Sequence, residues 1–234
     1  MAHTADVIII GGGVQGAALA FHLAQRGVKA TVLEKQHVAA GATGRSSGLV
    51  RMHYDTEVDS RLAWGAFQYF RDWKERVGGE CGFTRTGFIQ IVSQGQEAAL
   101  QANVRMQQAI GIAALVVTAE DVKRLAPGFI VQDFNVAAYE PESGYAMPSD
   151  SANALMDAAR RKGALLVQDC AVIGILESGG KVTGVQTSRG QYSAPVVVNA
   201  AGAWAGFVNR MARLDLPLTT WRHETMYVRR PREE

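Results

Sequence analysis

Three glycines at positions 11, 13 and 16, followed by an acid at position 34, are the residues of this sequence best arranged for chemistry. Gly11-x-Gly13-x-x-Gly16 lies where an apolar, β-branched run gives way to a helical pattern, and Glu34 ends the next β-branched run. Gly11 permits a tight turn, Gly13 lets the backbone approach a pyrophosphate, and Gly16 lets helix and strand pack closely. The first helical turn, at Val14 and Gln15, presents free N–H groups and the positive end of the helix dipole. Together with Glu34 on a ribose, this is a dinucleotide-binding fingerprint in its strand–turn–helix context. An acid at that position disfavours a 2′-phosphate, so FAD or NAD is expected rather than NADP, with Lys35 beside it at the same site. The competing explanations are a ligand-free glycine turn and a strand-end surface glutamate.

The elements that must position these groups are legible around them. Val7–Ile10 reads as a strand buried on both faces, because its apolar residues are continuous. Val14, Ala17, Ala18 and Phe21 follow helical spacing, and Arg26-Gly27 supplies the helix end. A second strand spans 29–34. Residues 40–54 then form a loop of small and hydroxylic residues suited to wrapping a phosphate with backbone. Residues 55–77 place Val58, Leu62, Ala66, Tyr69, Phe70, Trp73 and Val77 on one helical face. From 83 to 139 the pattern alternates between strands near 88–93, 115–117 and 134–139 and helices at 96–110 and after Thr118. That last helix begins with a capping-box sequence and ends before Pro127.

Residues 140–148 read as a loop leading to a helix at about 148–162, capped by Ser149 or Asp150. Strands at 165–167 and 171–175, a hairpin over 181–193 and a buried strand at 196–198 follow. Behind that last strand, Ala200, Ala201, Gly202 and Ala203 are too small to block a ligand at the sheet's carboxyl edge. Trp204 suits either a ligand contact or helix-packing core. Residues 221–230 alternate like one more strand.

The Gly11–Glu34 unit, Gly41-Ala-Thr-Gly-Arg-Ser-Ser-Gly, Arg51-Met-His-Tyr and Asn199-Ala-Ala-Gly-Ala-Trp together resemble FAD-dependent amine oxidoreductases. The group is that of D-amino-acid oxidase, glycine oxidase and sarcosine oxidase, and the nearest look is to the sarcosine oxidase β subunit and dimethylglycine dehydrogenase. The resemblance covers essentially the whole chain but only the N-terminal portion of a family member. It implies FAD as cofactor, with Thr43, Arg45, Ser46 and Ser47 along the pyrophosphate and flavin edge. It also implies Val172 at the adenine, with Ala200, Gly202 and Trp204 near the pyrophosphate. Arg51 and His53 would face the flavin as catalytic residues, Arg51 holding a substrate carboxylate. A guanidinium fork matches a carboxylate in two parallel hydrogen bonds. The alternative for Arg51 is a structural pair with Asp55 or Glu57.

The expected fold class is α/β: a Rossmann-like FAD-binding domain, residues 1–82 and 141–216. An inserted, mainly antiparallel α+β substrate domain, 83–140 and 217–234, is expected to be incomplete. The expected function is oxidation of the C–N bond of a small amine or N-methyl amino acid. The alternative is a truncated FAD-binding module, inactive alone or completed by a partner chain. With 24 basic and 22 acidic residues scattered along the chain, no nucleic-acid footprint is expected. No stretch reads as a membrane span or signal peptide. Cys81 and Cys170 lie far apart without metal-ligand spacing, so neither a disulfide framework nor a metal site is expected, and the cytoplasm is the expected compartment. Additional subunits or a homo-oligomer fit an incomplete sheet.

Overall fold

The computed structural model describes residues 3–224, 226 and 229. Two compact units emerge, residues 1–47 with 148–234, and residues 48–147. The divide therefore falls at 47/148 rather than at 82/141. The reason is that Phe67, on the helix after residue 55, is buried in one cluster with Met52, Leu100, Val104 and Ala138. Residues 217–224 likewise fall with the first unit.

The first unit opens with strand β1 (Val7–Ile10), helix α1 (Val14–Gln25) and strand β2 (Ala30–Leu33). All eight strand residues are buried, as continuous apolar runs require. α1 buries Gly16, Ala17, Ala20, Phe21 and Ala24, so its inward face is rotated from the expected one and Val14 is exposed. Small residues dominate that face because α1 packs closely, against β1 and against a later helix.

The second unit carries α2 (Glu57–Arg71), β3 (Phe88–Ile91), α3 (Glu97–Ile110), β4 (Leu115–Thr118), α4 (Ala119–Leu125) and β5 (Val136–Glu140). β3 and β4 flank β5 in a wholly antiparallel sheet. A smaller antiparallel sheet joins Leu49–Val50, Gly144–Tyr145 and Thr84–Arg85. α2 ends at Arg71 with Asp72 as its C-cap, and Trp73–Arg76 forms a separate turn of helix. Val58 and Leu62 are exposed, and the buried side of α2 is carried by Ser60 and Phe67, so the expected apolar stripe is correct only towards Trp73 and Val77. α4 starts with the expected capping box, Thr118 and Asp121 exchanging both hydrogen bonds.

The chain returns to the first unit with α5 (Pro148–Arg161), β6 (Leu165–Val167), β7 (Val172–Ser178), β8 (Lys181–Thr187), β9 (Gly190–Ser193), β10 (Val196–Asn199) and α6 (Ala205–Met211). α5 begins at Pro148, ahead of both expected caps; proline suits a first helical position because its missing N–H has no intrahelical partner there. β6, β2, β1 and β10 form a four-stranded parallel sheet in that order. Numbered along the chain, its strands lie 3-2-1-4, so the progression reverses between β1 and β10. That reversal leaves a crevice outside their carboxyl ends, the place where open α/β sheets take ligands.

Antiparallel β7, β8 and β9, with His3–Thr4 added parallel to β9, pack on the other side of β1. Ile8 and Ile10 join Val185 and Tyr192 in one cluster, whereas Ile9 faces α1. Residues 221–224 form no strand; most of the expected 221–230 strand lies outside the described residues. Among the described residues, no helix is long and apolar enough to cross a membrane.

Candidate functional site: a dinucleotide crevice and an arginine cavity

The crevice between β1 and β10 is built by close backbone approach. Gly11 has φ +109°, and a Cβ there would lie 2.5 Å from the carbonyl oxygen of Ala200. A Cβ on Gly16 would lie 1.9 Å from the Gly11 carbonyl oxygen, so α1 reaches the turn only because position 16 lacks a side chain. Opposite, Asn199 shapes the other wall. Its Oδ1 accepts from Ala201 N at 3.1 Å, an Asx-turn, and its Nδ2 donates to Ala205 O and Asn209 Oδ1 at 3.0 and 2.8 Å. The Ala200–Trp204 turn is held open by these bonds. An asparagine at a strand end before small residues is the signal that could have marked Asn199 in advance.

A cavity of about 370 Å³ occupies the crevice, within the size range of ligand sites. Among the expected cofactor residues, Gly11, Gly13, Val14, Gln15, Glu34, Lys35, Thr43, Val172, Ala200, Gly202 and Trp204 line it. Gly16 lies behind the wall. Glu34 is buried, its Oε2 accepting from Gly12 N at 2.7 Å and its Oε1 from Gln36 N at 2.8 Å. It therefore ties the glycine turn to the end of β2, and each oxygen retains a lone pair for a ribose hydroxyl. Lys35 Nζ stands 3.5 Å from the centre of the Trp204 ring, a cation–π contact across the cavity mouth.

The remaining loop residues take other roles. Thr43 Oγ1 accepts from Val14 N at 3.0 Å, capping α1 from outside the helix. Arg45 donates to the Ala40 and Gly41 carbonyls at 2.8 and 3.0 Å, so its guanidinium braces the loop. Ser46 and Ser47 are exposed and do not line the cavity. The crevice nonetheless fits FAD. Backbone can reach a pyrophosphate at Gly13, free donors remain at the start of α1, and buried carboxylate oxygens lie where a ribose would be taken.

Within the second unit, a separate cavity of about 620 Å³ is lined by Arg51, His53, Tyr54, Asp55, Gln90 and Asn103 among others. Arg51 forms no ion pair among the described residues. Its Nη1 makes a long 3.5 Å bond to Gln90 Oε1, and its guanidinium carbon stands 4.8 and 5.3 Å from the Tyr54 and Phe88 ring centres. The two acids that could have paired with it are engaged elsewhere, Glu57 with Arg61 at 2.7 Å and Asp55 with Asn103 Nδ2 at 3.0 Å. A guanidinium facing a polar cavity without a carboxylate partner is equipped to take one from a ligand.

His53 is buried, and its Nδ1 has no partner among the described residues. Burial lowers its pKa from the ordinary 6.5, with Arg51 adding to the effect and Glu140, Asp55 and Gln107 opposing it. The unfolded chain therefore takes up this proton first as pH falls, so acid weakens folding from about pH 6.5 downward, by at most about 1.4 kcal/mol per pH unit. Urea unfolding at stepped pH should show that slope, and the His53→Gln variant should lose it; identical slopes would refute the assignment.

A family model described as FAD dependent oxidoreductase matches residues 6–234. Mouse mitochondrial sarcosine dehydrogenase is 33% identical over 228 residues, covering 94% of this chain and 25% of that protein. Glycine oxidase of Geobacillus kaustophilus strain HTA426 is 30% identical over 240 residues, covering 99% of this chain and 63% of that enzyme. Among solved structures, L-proline dehydrogenase from P. horikoshii superposes with a TM-score of 0.85 at 28% identity, covering 91% of this chain and 57% of that one. The chain thus spans less than two thirds of the length of these relatives. With the crevice, the glycine turn and the match over nearly its full length in agreement, the chain belongs to the FAD-dependent oxidoreductase family that includes glycine oxidase.

Proposed function

We propose that the chain oxidises the C–N bond of a small amine or N-methyl amino acid of the sarcosine, glycine and D-amino-acid class. The observation that carries this reading beyond the family is Arg51, a half-buried guanidinium on a polar cavity that forms no ion pair among the described residues. When bound, FAD supplies the two-electron acceptor that such an oxidation requires. The chain's own contributions are binding and orientation. The crevice between β1 and β10 takes the adenosine and pyrophosphate portion through Gly11, Gly13, Val14, Gln15, Glu34 and Lys35. Thr43, Val172, Ala200, Gly202 and Trp204 complete it. Arg51 holds the substrate carboxylate by two parallel hydrogen bonds, which fixes the amine end by geometry. His53, neutral near pH 7, adds no second cation beside Arg51 and leaves a ring nitrogen free for a proton. Arg45 supports the loop; Ser46 and Ser47 remain candidates for the flavin edge.

The test is spectroscopic. The purified chain, loaded with FAD, is mixed without oxygen with sarcosine, glycine, D-alanine or L-proline, and the visible flavin band is followed. Bleaching by one of them is the expected result. Flavin that none of them bleaches would instead support an FAD-binding module that acts only with a further polypeptide. A chain that takes up no flavin would overturn the cofactor assignment.

We further propose a reducing compartment, the cytoplasm first, because among the described residues no disulfide includes Cys81 or Cys170, both of which are buried. Leu214, Leu216, Leu218 and Trp221 are exposed in sequence proximity, which supports association with another subunit or a second copy. Sedimentation as a strict monomer at every concentration would remove the second copy.

A further inference from the structure

The segment from Arg51 to Tyr54 is held at two points by buried side chains remote in sequence. Glu140, the last residue of β5, is fully buried, and its Oε2 accepts from Met52 N at 3.0 Å and from Ser143 Oγ at 2.7 Å. Gln107, on α3 and equally buried, donates its Nε2 to Tyr54 O at 3.4 Å. A carboxylate thus takes the N–H of Met52 while a carboxamide supplies a donor to the carbonyl of Tyr54. His53 lies between these two anchor points. The residues at the ends, Arg51 and Tyr54, line the 620 Å³ cavity with the guanidinium stacked near the phenol ring.

This arrangement is a costly way to gain stability alone. A buried carboxylate is expensive unless fully satisfied, and Glu140 Oε1 and Gln107 Oε1 both lack partners among the described residues. An apolar residue in the same strand would avoid that cost. What the polar pair supplies instead is a fixed backbone, since each anchor specifies one atom of the segment in position and direction. Residues that orient a binding group through its backbone belong to the supporting layer that precise sites need.

We propose that Glu140 and Gln107 are positioning residues that fix the backbone of residues 52–54 and so aim Arg51 into its cavity to receive a carboxylate. The inference rests on the reading of Arg51 given above and deepens it. Glu140 and Gln107 need not touch the ligand themselves.

Acetate serves as the carboxylate probe, its binding to the FAD-loaded chain followed by nuclear magnetic resonance. Arg51→Gln tests the underlying reading, and should abolish acetate binding. Glu140→Leu should weaken acetate about tenfold, the effect of losing one charge-assisted hydrogen bond. Glu140→Gln should restore binding to within about twofold, because its carboxamide oxygen can still accept from Met52 N–H. Should Glu140→Leu fail to fold, Gln107→Leu and Ser143→Ala each remove one hold and should weaken acetate about threefold.

A second readout separates positioning from bulk packing. The charged groups facing His53 are Glu140 on β5 and Arg51 and Asp55 on its own segment, with the neutral Gln107 on α3. Neutralising Glu140 in Glu140→Gln should lower the His53 ring titration while acetate binding is kept. If Arg51→Gln binds acetate normally, the reading of Arg51 fails whatever Glu140 does. If Arg51→Gln loses acetate but the Glu140 and Gln107 variants bind it like the parent, the positioning role is overturned. So it is if Glu140→Gln binds as weakly as Glu140→Leu.

Discussion

Replacing Gly16 by alanine is expected to yield a protein that no longer retains FAD. The added Cβ would sit 1.9 Å from the Gly11 carbonyl oxygen, a backbone atom that cannot swing aside. Either α1 moves away from the turn or the turn opens, and both displace the N–H groups at the start of α1 from the crevice. Ile9 lies 3.4 Å from the same added atom, so a retreat of the helix would also loosen its packing on β1. Overpacking of this kind costs about 3 kcal/mol, which corresponds to a fall in FAD affinity of about a hundredfold if it is felt at the site. The control is Gly65→Ala in α2, where an added Cβ meets nothing within 4 Å. That change should stabilise by about 0.5–1 kcal/mol through helix propensity. Flavin retention and urea midpoints of the two variants measure the contrast; a Gly16→Ala protein with parental values for both would refute the close-packing argument.

The same contrast explains what could be read from the sequence. Val7–Ile10, the glycine turn, α1, Ala30–Leu33 and Glu34 were legible because their constraints are local. A continuous apolar run must be buried on both faces, and a turn that close to a helix must be glycine. The small residues after Asn199 were legible for a like reason. What escaped was fixed by packing between distant segments. Val58 and Leu62 match the helical period of α2 yet point to solvent, because Phe67 packs with Leu100 and Val104 of α3 while Ser60 Oγ donates to the Tyr54 carbonyl. Nothing in the spacing near residue 82 shows that α2 shares a core with Leu100 and Val104, so the start of the second compact unit at residue 48 is not legible there.

Glu140 illustrates the limit most sharply. Beside Pro141, in a stretch with Glu142, Ser143 and Gly144, an acid reads as part of a solvated loop. In the fold it is the buried end of a central strand, made necessary by the N–H of Met52, a residue 88 positions earlier. Arg45 is the converse case, since its type suited a phosphate but its reach is taken by the carbonyls of Ala40 and Gly41. Residue type narrows what a side chain can do, while the neighbours that the fold supplies decide which of those roles is used.

Glu34→Gln is the second change expected to have a large effect, although it replaces one atom. Both carboxylate oxygens accept backbone N–H groups, from Gly12 at 2.7 Å and from Gln36 at 2.8 Å. A carboxamide has one acceptor oxygen and an NH₂ that can only donate, so in either orientation one N–H faces another donor. If Gly12 loses its partner the glycine turn is released; if Gln36 does, the chain leaving β2 is. A lost hydrogen bond to a charged group is worth about 1.5–3 kcal/mol, so FAD affinity should fall about tenfold to a hundredfold. Glu34→Asp keeps two acceptor oxygens but is one methylene shorter, so it cannot hold both N–H groups at their present separation and should fall between parent and Glu34→Gln. The parent acid also repels a 2′-phosphate, so Glu34→Gln should narrow the preference for ADP-ribose over its 2′-phosphorylated form. Titration of the flavin-free chain with FAD and with both ribose ligands reads all three effects. Unchanged FAD affinity in Glu34→Gln would show that the carboxylate holds neither the turn nor the ribose.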